Sequence, residues 1–373
     1  MVVAAGVNLL FQKVCSTNNP TAIMEHKFNY NWTLKDANFS KDKGVVFSCF
    51  ACGGGSTMGY KLAGYDVIGC NEIDPRVMSL YEQNHHPRYA FLEPIQTFKD
   101  RTAFPDALYN LDILDGSPPC SAFSIAGSRE EAWGVEKKFR EGQATQILDT
   151  LFFDFIELAH KLQPKVVIAE NVKGLLQGDA KKYVQRIYAE FDAAGYYCQH
   201  WLLDGSNMGV PQRRERVFFV CLRKDLIDFV PVQYNLFDVL PRLTLDFHEP
   251  PITCEDAGIE LGDPITTPCY AEEYDRLKAG LPKKYLQCCL YPKTVVHPTL
   301  IAGYRAKASP MPDWGKQWLS TSDICKISSF PQDYDFGTQK PEYVCGMSVP
   351  PLMIAQIATQ VYEQWLTRIN QVK

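Results

Sequence analysis

Between Gly44 and Leu222 short apolar runs alternate with segments of helical spacing, and this rhythm limits the fold more than any other feature. VVFSCF (45–50), YDVIGC (65–70), LDILD (111–115), VVIAEN (166–171) and RVFFVCL (216–222) read as strands. Near-continuous apolar strands are buried on both faces, which in a chain of alternating strands and helices means a mostly parallel sheet covered by helices. Within 146–162, Ile147, Leu148, Leu151, Phe152, Phe155, Leu158, Ala159 and Leu162 recur at helical spacing and predict one covering helix. The expected fold class is α/β, Rossmann-like.

The rhythm stops near Lys224. Residues 224–319 are Pro-rich with short strand-like pieces, and predict a smaller, irregular second domain. Helical patterning returns near Thr321, and MSVPPLMIAQIATQVYEQWLTRI (347–369) predicts a helix after two prolines. The first domain is therefore assigned 1–223 and 320–373, with the last helix returning to it. A chain of 373 residues has room for this pair of units. Residues 1–43 form a polar, aromatic-containing lead-in without the basic start of a secretion signal. No apolar run suggests a membrane span, so a cytoplasmic monomer without membrane contact is expected.

Thirteen cysteines, an odd number, fit reduced thiols better than a disulfide framework. Cys49 and Cys52 form a CxxC pair, but no second pair follows, and no metal site is expected. The net charge of −5 argues against coating nucleic acid by bulk charge and leaves a local basic groove open. Lys137-Lys138-Phe139-Arg140, Arg213-Arg214-Glu215-Arg216, Lys283-Lys284 and Arg305-Ala306-Lys307 are the local clusters.

The chemistry is carried at the carboxyl ends of the strands, where sites of parallel sheets collect. The first strand runs into Gly53-Gly54-Gly55 and a helix start, a turn that lets backbone approach a ligand. Glu72 ends the second strand, where an acid can hold ribose hydroxyls. The glycines do not spell GxGxxG, so a nucleoside suits this loop as well as a pyrophosphate. The third predicted strand ends in Gly116-Ser117-Pro118-Pro119-Cys120, whose two prolines stiffen the presentation of one thiol. Glu170-Asn171-Val172 and Gln212-Arg213-Arg214-Glu215-Arg216 end or enter the remaining strands. In an extended chain Gln212, Arg214 and Arg216 share a face. A thiol, a carboxyl and a guanidinium pair match what methylation of cytosine carbon 5 requires. The thiolate adds at carbon 6 so that carbon 5 becomes nucleophilic, the acid serves ring N3, and a guanidinium holds O2. The base must leave its duplex to reach such a site.

Taken together these motifs resemble the DNA cytosine-5 methyltransferases over roughly 44–222 and 297–365. Phe50-Ala51-Cys52-Gly53-Gly54-Gly55 resembles that family's cofactor loop, Asn71-Glu72-Ile73-Asp74 its ribose-binding acid, and Ser117-Pro118-Pro119-Cys120 its nucleophile motif. Glu170-Asn171-Val172, Gln212–Arg216, 325–334 (CKISSFPQDY) and Gly346-Met347-Ser348-Val349 follow in the family's order. The resemblance implies methyl transfer from S-adenosylmethionine to cytosine in double-stranded DNA, within a restriction–modification setting, leaving S-adenosylhomocysteine. It implies Cys120 as nucleophile, Glu170 at N3, and Arg214 and Arg216 near the base and phosphate. It implies a cofactor pocket of Phe50, Ala51, Gly53, Gly55, Asn71, Glu72, Ile73, Ile95, Pro119, Leu151, Ser348 and Val349. Residues 125–146 occupy the place of its DNA-closing loop.

Four positions depart from the family pattern. Cys52 replaces a glycine, and Glu93-Pro94-Ile95 stands for Gly-Asp-Ile, leaving the adenine amino contact to Glu93 or a backbone group. Ser322-Asp323 stands for an Arg-Glu pair, which predicts weaker bracing of the small domain, and Met347 replaces an asparagine. Three other readings stay open from sequence: the same chemistry on RNA, a thiol oxidoreductase using Cys49 and Cys52, and a non-catalytic DNA-binding relative.

Overall fold

The structure is a computed structural model that describes residues 26–119, 150–178, 180–234, 239–286, 288–305 and 309–372, with the backbone of two short strands at 136–137 and 146–147. Seven strands form the central sheet: β1 (Val45–Cys49), β2 (Asp66–Glu72), β3 (Tyr89–Leu92), β4 (Ile113–Gly116), β5 (Val166–Val172), β6 (Tyr196–Asp204) and β7 (Glu215–Arg223). Their order is β3-β2-β1-β4-β5-β7-β6. β1 to β5 pair in parallel, and β7 runs antiparallel to both β5 and β6. The α/β class and the mostly parallel sheet follow the sequence reading.

Strand alternation builds two cores. Phe47, Leu114, Val167, Ala169 and Phe219 point to one face and pack with Phe152, Phe155 and Phe191. Val46, Ile113, Val166, Ile168 and Phe218 point to the other and pack with Leu352, Ile354, Ile357 and Trp365. The helices are α1 (Gly55–Leu62), α2 (Pro75–His85), α3 (Ile95–Lys99), α4 (Leu151–Leu162), α5 (Ala180–Ala193), α6 (Pro268–Lys278), α7 (Thr321–Ser328), α8 (Pro341–Met347) and α9 (Pro351–Val361). The helical spacing across 146–162 becomes helix only from Leu151, because Gln146–Ile147 pairs with Glu136–Lys137 instead. β3 and β6 were not legible as strands. Both are sheet edges, and their part-exposed polar and apolar residues lack the continuous apolar signature of the interior strands.

α2 shows how a local signal positions the site. Asp74 caps it by accepting from the Arg76 N–H at 3.0 Å, and Pro75 fits the first helical position. The helix therefore starts immediately after β2 and holds the end of that strand in place.

A third core joins Met58 of α1 and Leu80 of α2 to residues 259–345, with Leu300, Tyr304, Trp318, Ile324, Phe330, Tyr334 and Val344. Asp323 is buried beneath it and accepts from the N–H groups of Glu260, Leu261 and Ser320 and from the Ser320 hydroxyl. At the position where weaker bracing was expected, Asp323 itself takes these four donors. Residues 224–245 pack elsewhere: Leu226, Val230, Leu243 and Leu245 join the core of α9. The lead-in crosses both regions. Trp32 Nε1 donates to the Ser329 carbonyl at 2.9 Å, and Leu34 and Lys35 N–H groups donate to Asp333 at 2.6 and 3.0 Å.

α9 lies directly on α1. The Tyr65 hydroxyl donates to the Ala358 carbonyl at 3.0 Å. A Cβ on Gly59 would lie 2.4 Å from the Pro351 carbonyl oxygen, too close for any side chain without backbone movement. Pro341–Ile369 is apolar enough to resemble a membrane span, but 83% of its most apolar window is buried, as in a core helix. Gly59→Ala should therefore lower unfolding stability by about 1–3 kcal/mol, the usual cost of overpacking. Chemical denaturation measures this, and an unchanged midpoint would show that the helices separate freely.

Candidate active site

The glycine loop is held open from behind. Phe50 and Cys52 take left-handed backbone at φ 55° and 47°, and Gly54 follows at 76°. Such conformations cost non-glycine residues energy and persist only where surroundings enforce them. The Gly53 carbonyl accepts from the Tyr334 hydroxyl at 2.8 Å and lies 3.2 Å from His85 Nε2. Burial drives His85 down to about 3, so the ring is neutral and its Nε2–H donates. A Cβ on Gly53 would meet Val344 at 2.3 Å, and one on Gly55 would meet the Val349 carbonyl oxygen at 2.1 Å. These glycines let the C-terminal segment close against the loop.

In front of the loop is a cavity lined by Phe50, Cys52, Asn71, Glu72, Ile73, Asp74, Val77, Glu93, Ile95, Ser117, Pro119, Tyr343 and Met347. Six of the twelve residues expected at the cofactor lie on its wall: Phe50, Asn71, Glu72, Ile73, Ile95 and Pro119. Ala51, Gly53, Gly55, Ser348 and Val349 lie behind that wall, and Leu151 is fully buried in the aromatic core. Sequence reasoning passed over Tyr343 and marked Met347 only as a departure from the closing motif; the two sit four apart on α8 and so share a face.

Glu72 is 8% exposed and accepts three backbone N–H groups, from Cys52 at 2.8 Å, Ile73 at 2.8 Å and Asp74 at 3.0 Å. Burial pushes its carboxyl up and these donors pull it back. Two carboxylate oxygens offer about four acceptor sites, so one remains for an outside donor. Asn71 Nδ2 donates to the Phe91 and Glu93 carbonyls at 3.2 and 2.8 Å, and the Glu93 N–H donates to the Glu72 carbonyl at 3.1 Å. Glu93 lines the cavity, and its carboxylate is steadied by Arg101 at 2.6 Å.

Ser117 and Pro119 join this cavity to the second half of the site. Asn171 Nδ2 donates to the Pro118 carbonyl at 3.2 Å, so the strand that carries Glu170 also holds the double-proline turn. Cys120 itself lies outside the described residues, as do residues 125–135 and 138–145 of the expected closing loop. Arg216 Nε donates to Glu170 Oε1 at 2.9 Å, with both side chains largely buried. Burial lowers the Arg216 pKa and the facing carboxylate raises it again.

Arg214 is placed differently. It is 2% exposed, and its guanidinium donates to three backbone carbonyls: Leu300 at 3.2 Å, Gly346 at 3.0 Å and Ser348 at 2.9 Å. Its described hydrogen bonds go to these carbonyls, whereas Arg216 bonds Glu170. β7 begins only at Glu215, so strand alternation does not govern Arg214.

Cys49 and Cys52 do not form a redox centre. Burial pushes the Cys49 thiol well up, and burial beside Glu72 pushes Cys52 to about 11, whereas a redox-active thiol needs a depressed value. Among the described residues no cluster of His, Cys, Asp or Glu is arranged to hold a metal.

The fold and site together define an α/β methyltransferase-like protein. A sequence model of the C-5 cytosine-specific DNA methylases matches residues 45–248, and the chain belongs to that family. It is 35% identical over 182 residues to the Type II methyltransferase M.FnuDI of Fusobacterium nucleatum, covering 48% of this chain and 47% of that one. It is 25% identical over 333 residues to M.AplI of Arthrospira platensis, covering 85% of each. The chain spans about half the length of the first of these relatives. In fold it is similar to a DNA modification methyltransferase from an Escherichia coli prophage (TM-score 0.62, 18% identity, 86% of this chain and 99% of that one). It is also similar to a Spodoptera frugiperda DNMT2 variant (TM-score 0.60, 17% identity, 85% and 99%).

Beneath the site Asp115 accepts from Ser48 at 2.7 Å and Tyr60 at 3.1 Å, and burial raises it from 3.8 to about 7. The folded state then holds a proton that the unfolded state releases between about pH 4 and 7. The stability associated with this proton is present below pH 4 and lost as pH rises through 7. Between pH 5 and 8 the Asp115→Asn variant should show a flatter melting-temperature profile than the parent. Parallel profiles would contradict the buried proton.

Proposed function

We propose that this protein transfers the methyl group of S-adenosylmethionine to carbon 5 of a cytosine in a specific double-stranded DNA sequence. The observation that carries this reading is the Glu170–Arg216 pair, set beside a double-proline turn whose other side forms the wall of the Glu72 cavity.

The residues of that cavity fit an adenosine derivative. Glu72 keeps one acceptor site for a ribose hydroxyl, Ile73, Val77 and Ile95 offer apolar walls, and the Glu93 carboxylate accepts from the adenine amino group. When bound there, S-adenosylmethionine supplies an electrophilic methyl group. The flipped base lies between the turn and Glu170. The Cys120 thiolate adds to carbon 6, Glu170 donates a hydrogen bond or proton at N3, and Arg216 holds O2. Carbon 5 takes the methyl group, its proton leaves to a base, and the thiolate departs. The Arg216 contact restrains the Glu170 carboxyl beside the turn. The part of 224–319 that does not pack against α9 reads the DNA sequence, and similarity to Type II methyltransferases supports a restriction–modification setting.

Bisulfite sequencing of DNA from cells expressing the protein tests this reading. Methylated cytosines within one short sequence are expected, and unmodified DNA despite soluble, cofactor-binding protein would overturn it. Glu170→Gln should reduce methyl transfer by about 10²–10⁴-fold, the usual range for a general acid. A loss under about three-fold would remove Glu170 from the chemistry. The role of Glu93 is read with S-inosylhomocysteine, which carries a carbonyl in place of the amino group. The parent should prefer S-adenosylhomocysteine by about ten-fold or more, a hydrogen bond to a charged group being worth about 1.5–3 kcal/mol. Glu93→Gln should abolish that preference, and a preference that survives would assign the contact elsewhere.

A further inference from the structure

Arg214 and Gln212 have a role the cytosine chemistry does not use. Both are nearly completely buried, at 2% and 1% exposure. They grip the backbone of one residue of the recognition region, Leu300, on either side of its Cα. The Leu300 N–H donates to Gln212 Oε1 at 3.0 Å, and the Leu300 carbonyl accepts from Arg214 at 3.2 Å. Neighbouring bonds fix the register: Arg213 N–H to the His297 carbonyl at 2.8 Å, and the Thr299 hydroxyl to the Arg213 carbonyl at 2.6 Å. The same two side chains also hold α7 and the end of α8. Gln212 Nε2 donates to the Ile327 carbonyl at 3.0 Å, and Arg214 holds the Gly346 and Ser348 carbonyls.

Those two carbonyls flank Met347, which lines the cofactor cavity, and Gly346 crosses the backbone at Ala302 so closely that a Cβ would lie 2.5 Å from its nitrogen. Two residues along the chain, Arg216 pairs with Glu170. One five-residue stretch therefore touches the recognition region, the cofactor wall and the catalytic carboxyl.

An apolar side chain could fill this space at lower cost, because a buried guanidinium whose described partners are all carbonyls carries a large desolvation penalty. An apolar contact tolerates sliding. A planar guanidinium bonded through its two terminal nitrogens to three carbonyls does not, since its donors have fixed directions. A shift of 297–302 on DNA breaks bonds that also fix 346–348, and the reverse holds when the cofactor cavity fills.

We propose that Arg214, with Gln212, is a positioning residue that couples occupancy of the recognition region by DNA to affinity for the cofactor. This rests on the proposed methyltransferase reading for the identity of the two ligands. By linkage the coupling is reciprocal, so the cofactor strengthens DNA binding by the same factor.

The test measures S-adenosylhomocysteine binding by calorimetry, with and without sheared, unmethylated duplex DNA of mixed sequence. In the parent DNA should tighten binding by about five-fold or more, the lower end of usual allosteric coupling. In Arg214→Lys, which keeps the charge but cannot serve three carbonyls, the ratio should fall below about two-fold. Gln212→Met, which loses both uncharged bonds, should lower it as well, and decides the matter if Arg214→Lys does not fold. An unchanged ratio in the folded variants, or no DNA effect in the parent, overturns the coupling. Failure of both variants to fold also overturns it, by making the clasp an element of stability alone. Absence of S-adenosylhomocysteine binding in the parent counts against the methyltransferase reading instead.

Discussion

The close approach of the C-terminal segment to the glycine loop is the constraint on which the site depends. No side chain fits at Gly55, because the Val349 carbonyl oxygen occupies the space a Cβ would take. The two partners lie nearly 300 residues apart in sequence. Their contact lets α9 cover the sheet beside α1 and brings Met347 and Tyr343 to the cavity. Tyr334 and His85 fasten the same loop by its Gly53 carbonyl. Phe50 and Cys52 can then stay left-handed, since the loop is fixed from three sides.

The carboxyl edge of the sheet distributes the chemistry between two adjoining places. Around Glu72, backbone donors satisfy the acid and leave it one open acceptor position. Around Glu170, the acid is paired with a side chain, Arg216, that is itself largely buried. Each arrangement compensates the cost of burying charge in a different way. The first presents a fixed acceptor suited to hydroxyl groups. The second presents an acid and a cation together, suited to a ring that exposes a nitrogen and a carbonyl side by side. Asn171 ties the two by holding the turn between them.

Much of this was legible in the sequence because strand ends in a parallel sheet converge. Glu72, Pro119 and Glu170 could be placed from strand patterning alone, and the structure sets all three along one edge. Arg214 could not be placed in this way. The face-sharing argument assumes an extended ladder, and at Arg214 the chain is still outside β7, turning toward Leu300. Ser348, Val349 and Leu151 were assigned by motif, which marks a segment but not the direction a side chain faces. Tyr334 and His85 carried no local signal, since what they do depends on a carbonyl far away in the chain. Asp323 was read as a lost ion pair, whereas its role is to accept backbone donors, a demand that composition does not reveal.

The account stands or falls on the thiol that the double-proline turn presents. A duplex containing 5-fluoro-2′-deoxycytidine at every cytosine, incubated with the protein and S-adenosylmethionine, blocks the loss of the carbon 5 substituent and retains any thiol adduct. The account predicts a complex that survives denaturing electrophoresis and maps by peptide mass to Cys120. Cofactor-bound, folded protein that forms no such complex, or one that maps to a different cysteine, would contradict it.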